Sequence, residues 1–483
     1  MPKRKRKSKE PILVEVKAMA PKGSVAQRIQ LEDSQSDVKS NVNLEREWQV
    51  KGVSIGDRVW IRPLRKGKGQ VLRIEERAKD HMEAKCSYFG LCGGCQFQNM
   101  SLLRQREEKW NMVRGLLGNV NDIEVHPIVG AEDAFGYRNK MEFSFSNKRY
   151  YSEKEQTERK ELGISSTNES VLGMHPRGWY SKVVPIEHCD LVSTQMNKVL
   201  QVVQSHQLHP AWDNQKFEGI FRHLILREGS KKDDRKGHIL VTLVTSTVAA
   251  KTHLEKLTKE LAQMDCVCGI LWVVTDRLNE VALGDLREVL YGVDDVYIEM
   301  SQKSYLIPHD GFFQVNIKGA ELLVDILRND ILSIERREQL VDLYCGSGSL
   351  GIALGHDFTE VVGIELHEGA IEVAQKNAMR NNVKGKWFAG KVEEIVLDPT
   401  KICIDDQAVL VVDPPRVGLH PKAAQFLATQ RGAVLYYVAC NPKSLVRDRE
   451  ILEMGHWKMT DLWTIDLFPQ TPHVESIAKF VRK

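Results

Sequence analysis

Apolar positions along the chain change rhythm several times. From Trp48 they alternate with polar ones: in WQVKGVSIGDRVWIRPL, Val53, Ile55, Val59 and Ile61 are apolar and Gly56-Asp57 reads as a turn. KGKGQVLRIEE supplies a further strand. LLRQREEKWNMVRGLL then repeats at helical spacing, with Leu103, Trp110, Val113 and Leu117 on one face. From Gly136 to Asp310 strands and helices mix, with strands in YRNKMEFSFSN, HLILREGS, HILVTLVTS and GILWVVTD. Two hydrophilic stretches there, Tyr151–Lys160 and Gly229–Gly237, read as exposed loops. From Gln339 strand and helix alternate: QLVDLYC, EVVGIEL, KWFAGKV, AVLVVDPP, AVLYYVAC, LWTIDLF and ESIAKFV are strands, with GAIEVAQKNAMRNN and PKSLVRDREILEMG as helices between them. That rhythm predicts a doubly wound α/β domain whose ligand sits at the carboxyl ends of its strands.

The pattern divides the chain into four parts. Residues 1–45 are polar and poor in aromatics, and are expected to be a disordered basic tail. Residues 46–82 form a small β segment, 83–310 a central α+β domain and 311–483 the α/β domain.

Composition narrows the class. Of 483 residues 42% are hydrophobic and 28% charged, and the mean hydropathy is −0.33, as in globular proteins that bury a core. No apolar run approaches the ~18 residues of a membrane span, so no membrane partner is expected. A net charge of +3 says nothing about nucleic acid; local patches matter more. The opening PKRKRKSK is open to three readings: a nuclear-import address, an RNA-binding tail or a solvated tail. The nine cysteines are an odd number, and MPKRKRKSKE has no apolar leader. Both point to a reducing compartment, cytoplasm or nucleus with an organelle left open.

Five motifs carry chemistry. In Val341-Asp342-Leu343-Tyr344-Cys345-Gly346-Ser347-Gly348 a strand runs into a glycine turn, where Gly346 and Gly348 let the backbone approach a ligand closely. Glu365 ends the next strand with an acid suited to a ribose diol. The spacing is not that of a dinucleotide fingerprint, and a P-loop lysine is absent. In Val412-Asp413-Pro414-Pro415-Arg416 two prolines stiffen the strand exit and aim the Asp413 carboxylate. Cys440, in YVACNP, lies between a strand and a helix N-terminus, a position that favours the thiolate and makes it a candidate nucleophile. Glu475, in PHVES, precedes the last strand and is a candidate base at the same edge.

The fifth motif is KCSYFGLCGGCQFQN, with Cys86, Cys92 and Cys95 in ten residues. Such a density of thiols reads as a metal loop, for iron–sulfur or for zinc. The fourth ligand must come from elsewhere; Cys189 leads, with His188 beside it.

Taken in order, DLYCGSGSLG, GIEL with AQKNAMRNN, VVDPPRVG, YVACNP and HVE resemble the uracil-5-methyltransferases of RNA, and PHDGFFQVN matches the family just before its cofactor domain. CSYFGLCGGCQFQ with Cys189 resembles the branch that carries a 4Fe-4S cluster. The resemblance implies a Rossmann-like S-adenosylmethionine-dependent methyltransferase domain, an α+β central domain and a small barrel of the TRAM type at 46–82. It implies that Gln314, Tyr344, Gly346, Gly348, Glu365 and Asp413 line the S-adenosylmethionine site, that Cys440 is the nucleophile and Glu475 the base, and that Cys86, Cys92, Cys95 and Cys189 hold the cluster. It implies a monomer acting on structured RNA, ribosomal RNA ahead of transfer RNA, through a cysteine adduct at carbon 6 of uracil. A cytosine-directed enzyme is disfavoured by HVE and FFQVN, and an inactive RNA-binding scaffold by the complete set of catalytic residues.

Overall fold

The structure is a computed structural model that describes residues 10–20, 23–28, 47–50, 53–118, 121–164, 169–230, 237–276, 286–398, 400–430 and 432–483. These form two compact units. The first takes the chain up to Gly90, with Cys95–Gly115 and Pro469–Pro472; the second takes the rest.

In the first unit β1 (Ile12–Ala20), β2 (Gly23–Arg28), β3 (Glu47–Val50), β4 (Arg58–Pro63) and β5 (Gly69–Glu76) form an antiparallel sheet in the order β3-β2-β1-β4-β5. The Gln49 N–H donates to the Gly67 carbonyl at 2.7 Å, so the two edges meet and the sheet closes as a small barrel. Val14, Val16, Trp48, Val50, Val53, Ile55, Val59 and Ile61 fill it. Inside this unit the Asp57 carboxylate accepts from the backbone of Ser54 and Ala78, each at 2.9 Å.

Two expectations fail here. The tail expected to be disordered through residue 45 contains β1 and β2, because Val14 and Val16 alternate with charged residues as a half-buried strand does. The overall polarity of that stretch masked a short local alternation. The PKRKRKSK segment lies outside the described residues. The unit also runs past residue 82 and takes in most of α1 (Leu102–Leu117), which had been assigned to the central domain. On α1 Leu103 is 79% exposed, while Gln105, Glu108 and Lys109 are buried. Gln105 is inside because its amide donates to the Phe97 and Met100 carbonyls and its carbonyl accepts from the Gln470 N–H.

The second unit carries two large sheets. In chain order its first elements are β6 (Glu124–Val125), β7 (Val129–Gly130), β8 (Lys140–Ser146), α2 (Glu153–Glu161), β9 (Val171–Met174), β10 (Val184–Pro185), α3 (Thr194–Ser205), β11 (Phe221–Glu228), β12 (Ile239–Thr245), α4 (Lys251–Gln263), β13 (Val267–Val274) and β14 (Leu286–Gly292). Seven of the strands form one sheet, β10-β9-β8-β11-β12-β13-β14, antiparallel except where α4 joins β12 to a parallel β13. The stretch expected as a loop at Tyr151–Lys160 is helix α2. Its start is a capping box: the Ser152 hydroxyl accepts from the Glu155 N–H and the Glu155 carboxylate from the Ser152 N–H. That four-residue signal was in the sequence. Of Gly229–Gly237, residues 231–236 lie outside the described residues.

The remaining elements are β15 (Asp295–Met300), β16 (Lys303–Pro308), α5 (Ile317–Ile331), β17 (Gln339–Leu343), α6 (Ser349–Leu354), β18 (Glu360–Glu365), α7 (Glu368–Arg380), β19 (Gly385–Ala389), α8 (Val392–Ile395), β20 (Val409–Val412), α9 (Pro421–Thr429), β21 (Val434–Ala439), α10 (Pro442–Met454), β22 (Trp457–Asp466) and β23 (Glu475–Arg482). They build a Rossmann-like sheet in the order β19-β18-β17-β20-β21-β23-β22. The first five of these strands are parallel, and β23 inserts antiparallel between β21 and β22. Counted from β17 the order is 3-2-1-4-5-7-6, so the direction of winding reverses between β17 and β20, where a ligand crevice opens.

The expected boundary at residue 311 also shifts. Val296, Ile298, Met300, Tyr305 and Ile307 of the β15–β16 hairpin are buried in one core with Leu323, Val324 and Leu327 of α5. Asn377 of α7 accepts from the Leu306 N–H at 2.7 Å and clips the hairpin on. At the far edge β6 and β7 pair with β22, so the sheet recruits residues 124–130 from well before the α/β rhythm begins. Among the described residues no helix is long and apolar enough to cross a membrane.

Candidate active site

The carboxyl ends of β17, β18, β20 and β21 are neighbours in the sheet, and each delivers at least one predicted residue there. After β17 the chain turns at Tyr344, which takes a left-handed φ of +64°, then at Gly346 (+54°) and Gly348 (+82°), before α6 begins at Ser349. Positive φ is cheap for glycine and strained for tyrosine, so the turn stores local strain at Tyr344. Glu365, at the end of β18, braces the turn: one carboxylate oxygen accepts from the Gly346 N–H at 3.2 Å, the other from the His367 N–H at 3.1 Å. Gln314 lies before α5, where Asn139 pins the backbone by donating to the Gln314 carbonyl at 3.0 Å. Two residues earlier the Phe312 carbonyl accepts from the Ser347 hydroxyl at 3.4 Å, so this segment is tied to the glycine turn.

Asp413 follows β20 and its N–H donates to the Leu343 carbonyl at 3.2 Å, extending the ladder by one residue. The prolines then lead into a turn closed by the Gly418 N–H on the Pro415 carbonyl at 2.7 Å. Gly418 has φ +80°, and a Cβ there would come within 2.8 Å of Arg447, Asp448 and Ser444. That close approach presses the loop onto α10. The buried Asp448 carboxylate accepts from the Leu419 N–H at 2.8 Å and the Tyr437 hydroxyl at 2.7 Å, and Arg447 donates to it at 2.7 Å. Asn441, the N-cap of α10, donates to the Arg416 carbonyl at 2.9 Å. The Asp413 loop and the helix behind Cys440 are thus one hydrogen-bonded block.

Cys440 is half-buried between β21 and α10. Ala439 pairs with Ser476 across β21 and β23, so Glu475 starts its strand opposite Cys440. Glu475 is buried, and its Oε1 has no hydrogen-bond partner among the described residues. Burial pushes its carboxyl well above the ordinary range, and Asp413 pushes it further. Asp413 is itself raised by burial. Burial thus raises both carboxyls, and each influences the ionisation of the other.

The helix N-terminus was expected to favour the Cys440 thiolate. The structure reverses that expectation: burial pushes the thiol up to about 11, the Glu475 and Asp413 carboxylates add to it, and Arg416 opposes. Burial, with the two carboxyls adding to it, outweighs a helix dipole of about half a charge. Asp342, one turn below, is driven by burial up to about 8, against the Gly351 N–H that bonds it and with Asp413 and Glu365 adding to the rise. Burial also lifts the Tyr344 hydroxyl to about 12.

Asp342 feels the charges of Asp413 and Glu365, and Glu475 that of Asp413, so the strand ends carry an acidic surrounding. A ligand bearing positive charge fits it, and the sulfonium and ammonium of S-adenosylmethionine supply such charge. The sequence reading did not single out Asp342, Arg416 or Asp448. Asp342 and Arg416 stood inside motifs it quoted; Asp448 carried no local signal, since its role is to join two loops that meet only in the fold.

The four cysteines fall on both units: Cys86 and Cys95 on the first, Cys92 and Cys189 on the second. Each is half-buried. The Cys86 N–H donates to Gln98 at 2.9 Å, and the Cys189 N–H to Asn197 at 2.8 Å. Asn197 is itself buried and returns a bond to the Cys189 carbonyl at 3.1 Å. A thiol is the soft donor type that iron–sulfur clusters and zinc take.

Several known proteins are similar to this chain. The family model for tRNA (Uracil-5-)-methyltransferase matches residues 291–483, a span that begins just before the β15–β16 hairpin. An uncharacterized RNA methyltransferase of Clostridium tetani is 31% identical over 444 residues, covering 90% of this chain and 91% of that protein. The tRNA (uracil(54)-C(5))-methyltransferase of Pyrococcus horikoshii is 31% identical over 401 residues, covering 82% of this chain and 86% of that protein. The crystal structure of Pyrococcus abyssi tRNA (uracil-54, C5)-methyltransferase in complex with S-adenosyl-L-homocysteine superposes with a TM-score of 0.71 at 24% identity, over 97% of this chain and 99% of that one.

Proposed function

Because this chain belongs to the RNA (uracil-5-)-methyltransferase family, we propose that it methylates carbon 5 of a uridine in structured RNA, using S-adenosylmethionine, through a covalent adduct with Cys440. The observation that carries this reading is the placement of Cys440 opposite the buried Glu475, whose Oε1 has no hydrogen-bond partner among the described residues, at the ends of β21 and β23.

Carbon 5 of uracil is a weak nucleophile, and the residues at the crevice offer a way round that. The half-buried Cys440 thiol gives up its proton to solvent water, and the thiolate adds to carbon 6. The carbon 5–carbon 6 electron pair moves into an enolate, which makes carbon 5 nucleophilic. S-adenosylmethionine, when bound, supplies a methyl group on a positively charged sulfur. Once carbon 5 carries the methyl, a Glu475 carboxylate oxygen takes the carbon 5 proton. Those electrons rebuild the double bond, and the Cys440 thiolate leaves. Glu365 and the Gly346–Gly348 turn would hold the adenosine end, with Gln314, Tyr344 and Asp413 lining the rest. A uridine in a folded RNA must leave its stack to reach this crevice.

Cys86, Cys92, Cys95 and Cys189 would hold a 4Fe-4S cluster. The scheme has no redox step, so the cluster's part is to fix the segments that ligate it. The Pyrococcus horikoshii relative is named for transfer RNA, which supports that substrate ahead of the ribosomal RNA suggested by the cysteine motif.

The test uses protein purified without oxygen, methyl-labelled S-adenosylmethionine, and unmodified ribosomal and transfer RNA in separate reactions. Mass spectrometry of the nucleosides should find label in 5-methyluridine, from transfer RNA first, and none with Cys440→Ala. Label in another nucleoside, or undiminished label in the variant, would overturn the reading.

A further inference from the structure

We propose that residues 176–182 form a stacking platform for unpaired bases of the RNA, seated on the backbone of Cys92 and Gly93. The proposal rests on the reading above that structured RNA is the substrate.

Trp179 and Tyr180, consecutive in this loop, are 56% and 72% exposed. One exposed aromatic residue is unremarkable, but two at consecutive positions of an ordered loop leave apolar area in water. The loop is preformed. Trp179 N–H donates to the Pro176 carbonyl at 3.1 Å and closes a β-turn. Gly178, third in that turn, has φ +82°, which only glycine adopts cheaply. At the base His175 Nδ1 lies 2.9 Å from the Lys182 carbonyl. From the side Asn214 donates to the Tyr180 carbonyl at 3.1 Å. Rings held in place lose little freedom when a ligand stacks on them.

Charge selects the ligand. The segment HPRGWYSK contains Arg177 and Lys182 and no acid. Lys182 Nζ sits 5.7 Å from the Trp179 ring centroid. Flat rings beside cations suit a base and its phosphate, and RNA-binding surfaces recognise unpaired bases in this way. A purely apolar protein partner would have no use for the cations.

The seat of the loop is equally specific. Cys92 pairs with Pro176 as an isolated bridge, and the Gly93 N–H donates to the His175 carbonyl at 2.9 Å. A Cβ on Gly93 would lie 2.8 Å from that carbonyl oxygen and 3.2 Å from the Arg177 nitrogen, so a glycine is needed for the contact. Whatever fixes Cys92 therefore fixes the platform.

The test compares full-length wild type, Trp179→Phe, and the double variant Trp179→Ala/Tyr180→Ala. The RNA is unmodified transfer RNA and a ribosomal RNA fragment, both dye-labelled. Binding is read by anisotropy over a salt series, and methylation by KM and kcat. Loss of base stacking should raise Kd and KM about tenfold or more, with the loss on KM rather than kcat. The salt slope should stay as in wild type, because no phosphate contact is removed. Trp179→Phe should recover most of the affinity. Wild-type Kd and KM in the double variant would overturn the platform, as would a loss confined to kcat or a wild type that binds neither RNA. A wild type that binds RNA and forms no 5-methyluridine would instead sink the proposed reaction, while the Kd comparison would still judge the platform.

Discussion

A thiol that titrates near 11 is a poor nucleophile at neutral pH, and Cys440 is held there by burial and by Glu475 and Asp413. Removing one of those carboxylates should therefore make the cysteine more reactive while it ruins turnover. Glu475→Gln should alkylate faster with iodoacetamide at pH 8.5 than wild type, since each unit of thiol pKa lost gives about tenfold more thiolate. Its methyl transfer should fall by about 100-fold or more, as expected when a general base is lost. Slower alkylation would show that Glu475 acts on Cys440 in some other way than by charge. Asp342 offers a cleaner pH test. Its folded-state pKa of about 8 lies above the ordinary 3.8, so the folded protein keeps a proton that the unfolded chain has lost. The stability this gives is full below about pH 4 and fades as pH rises through 8. Asp342→Asn keeps an acceptor for the Gly351 N–H and cannot ionise. Melts at pH 6 and pH 9 should show wild type losing stability relative to this variant. Parallel curves would refute it. Cys440, Glu475, Glu365 and Asp413 were legible in the sequence because each sits at a strand end inside a short motif. Their pKa values were not, because those depend on strands β20, β21 and β23 lying side by side.

Among the elements, α10 matters most to the site, since it carries the support for Asp413 as well as the cap behind Cys440. Asp448 joins the two through the Leu419 N–H and the Tyr437 hydroxyl. Asp448→Ala strands both donors in a buried place and should cost about 1–3 kcal/mol. It should also lower kcat by about tenfold, the scale of a small misplacement of a reacting group. Asp448→Asn, which can still accept, should recover part of both. A fall in melting temperature with kcat intact would leave Asp448 a stability residue only. Element boundaries were legible where periodicity was strong, as in β11 to β13 and throughout the α/β domain. They failed where composition outvoted local pattern. β1 lay hidden in a polar tail, α2 in a run of charges whose capping box was the one clue, and the β15–β16 hairpin fell on the wrong side of a boundary because only tertiary packing reveals its core.

For the whole molecule, the cysteines and the barrel are the features that composition did not decide. Cys86 and Cys95 belong to one compact unit, Cys92 and Cys189 to the other. If the four share a cluster, removing the metal should lower the melting temperature and weaken RNA binding, since metal ligation is folding energy. Treatment with an iron chelator under reducing conditions, followed by calorimetry and anisotropy, checks this. An unchanged melting temperature and Kd would rule out a structural cluster. The closed five-stranded barrel, with a buried Trp48 at its centre, exceeds the short β segment read from residues 46–82 because β1 and β2 enter from earlier in the chain.

The position of β23 has a consequence for how the protein comes into being. It fills the slot between β21 and β22, and its first residue is Glu475. A nascent chain that has emerged as far as β22 has Cys440 in place and nothing opposite it. Until β23 arrives, β21 and β22 each lack the ladder partner that it gives them in the native sheet. Such an intermediate is inert and sticky, and chaperones and proteases act on that kind of species. Synthesis of residues 475–482 closes the gap and delivers the base in one event, so a protein stalled or clipped before them presents a reactive cysteine that turns nothing over.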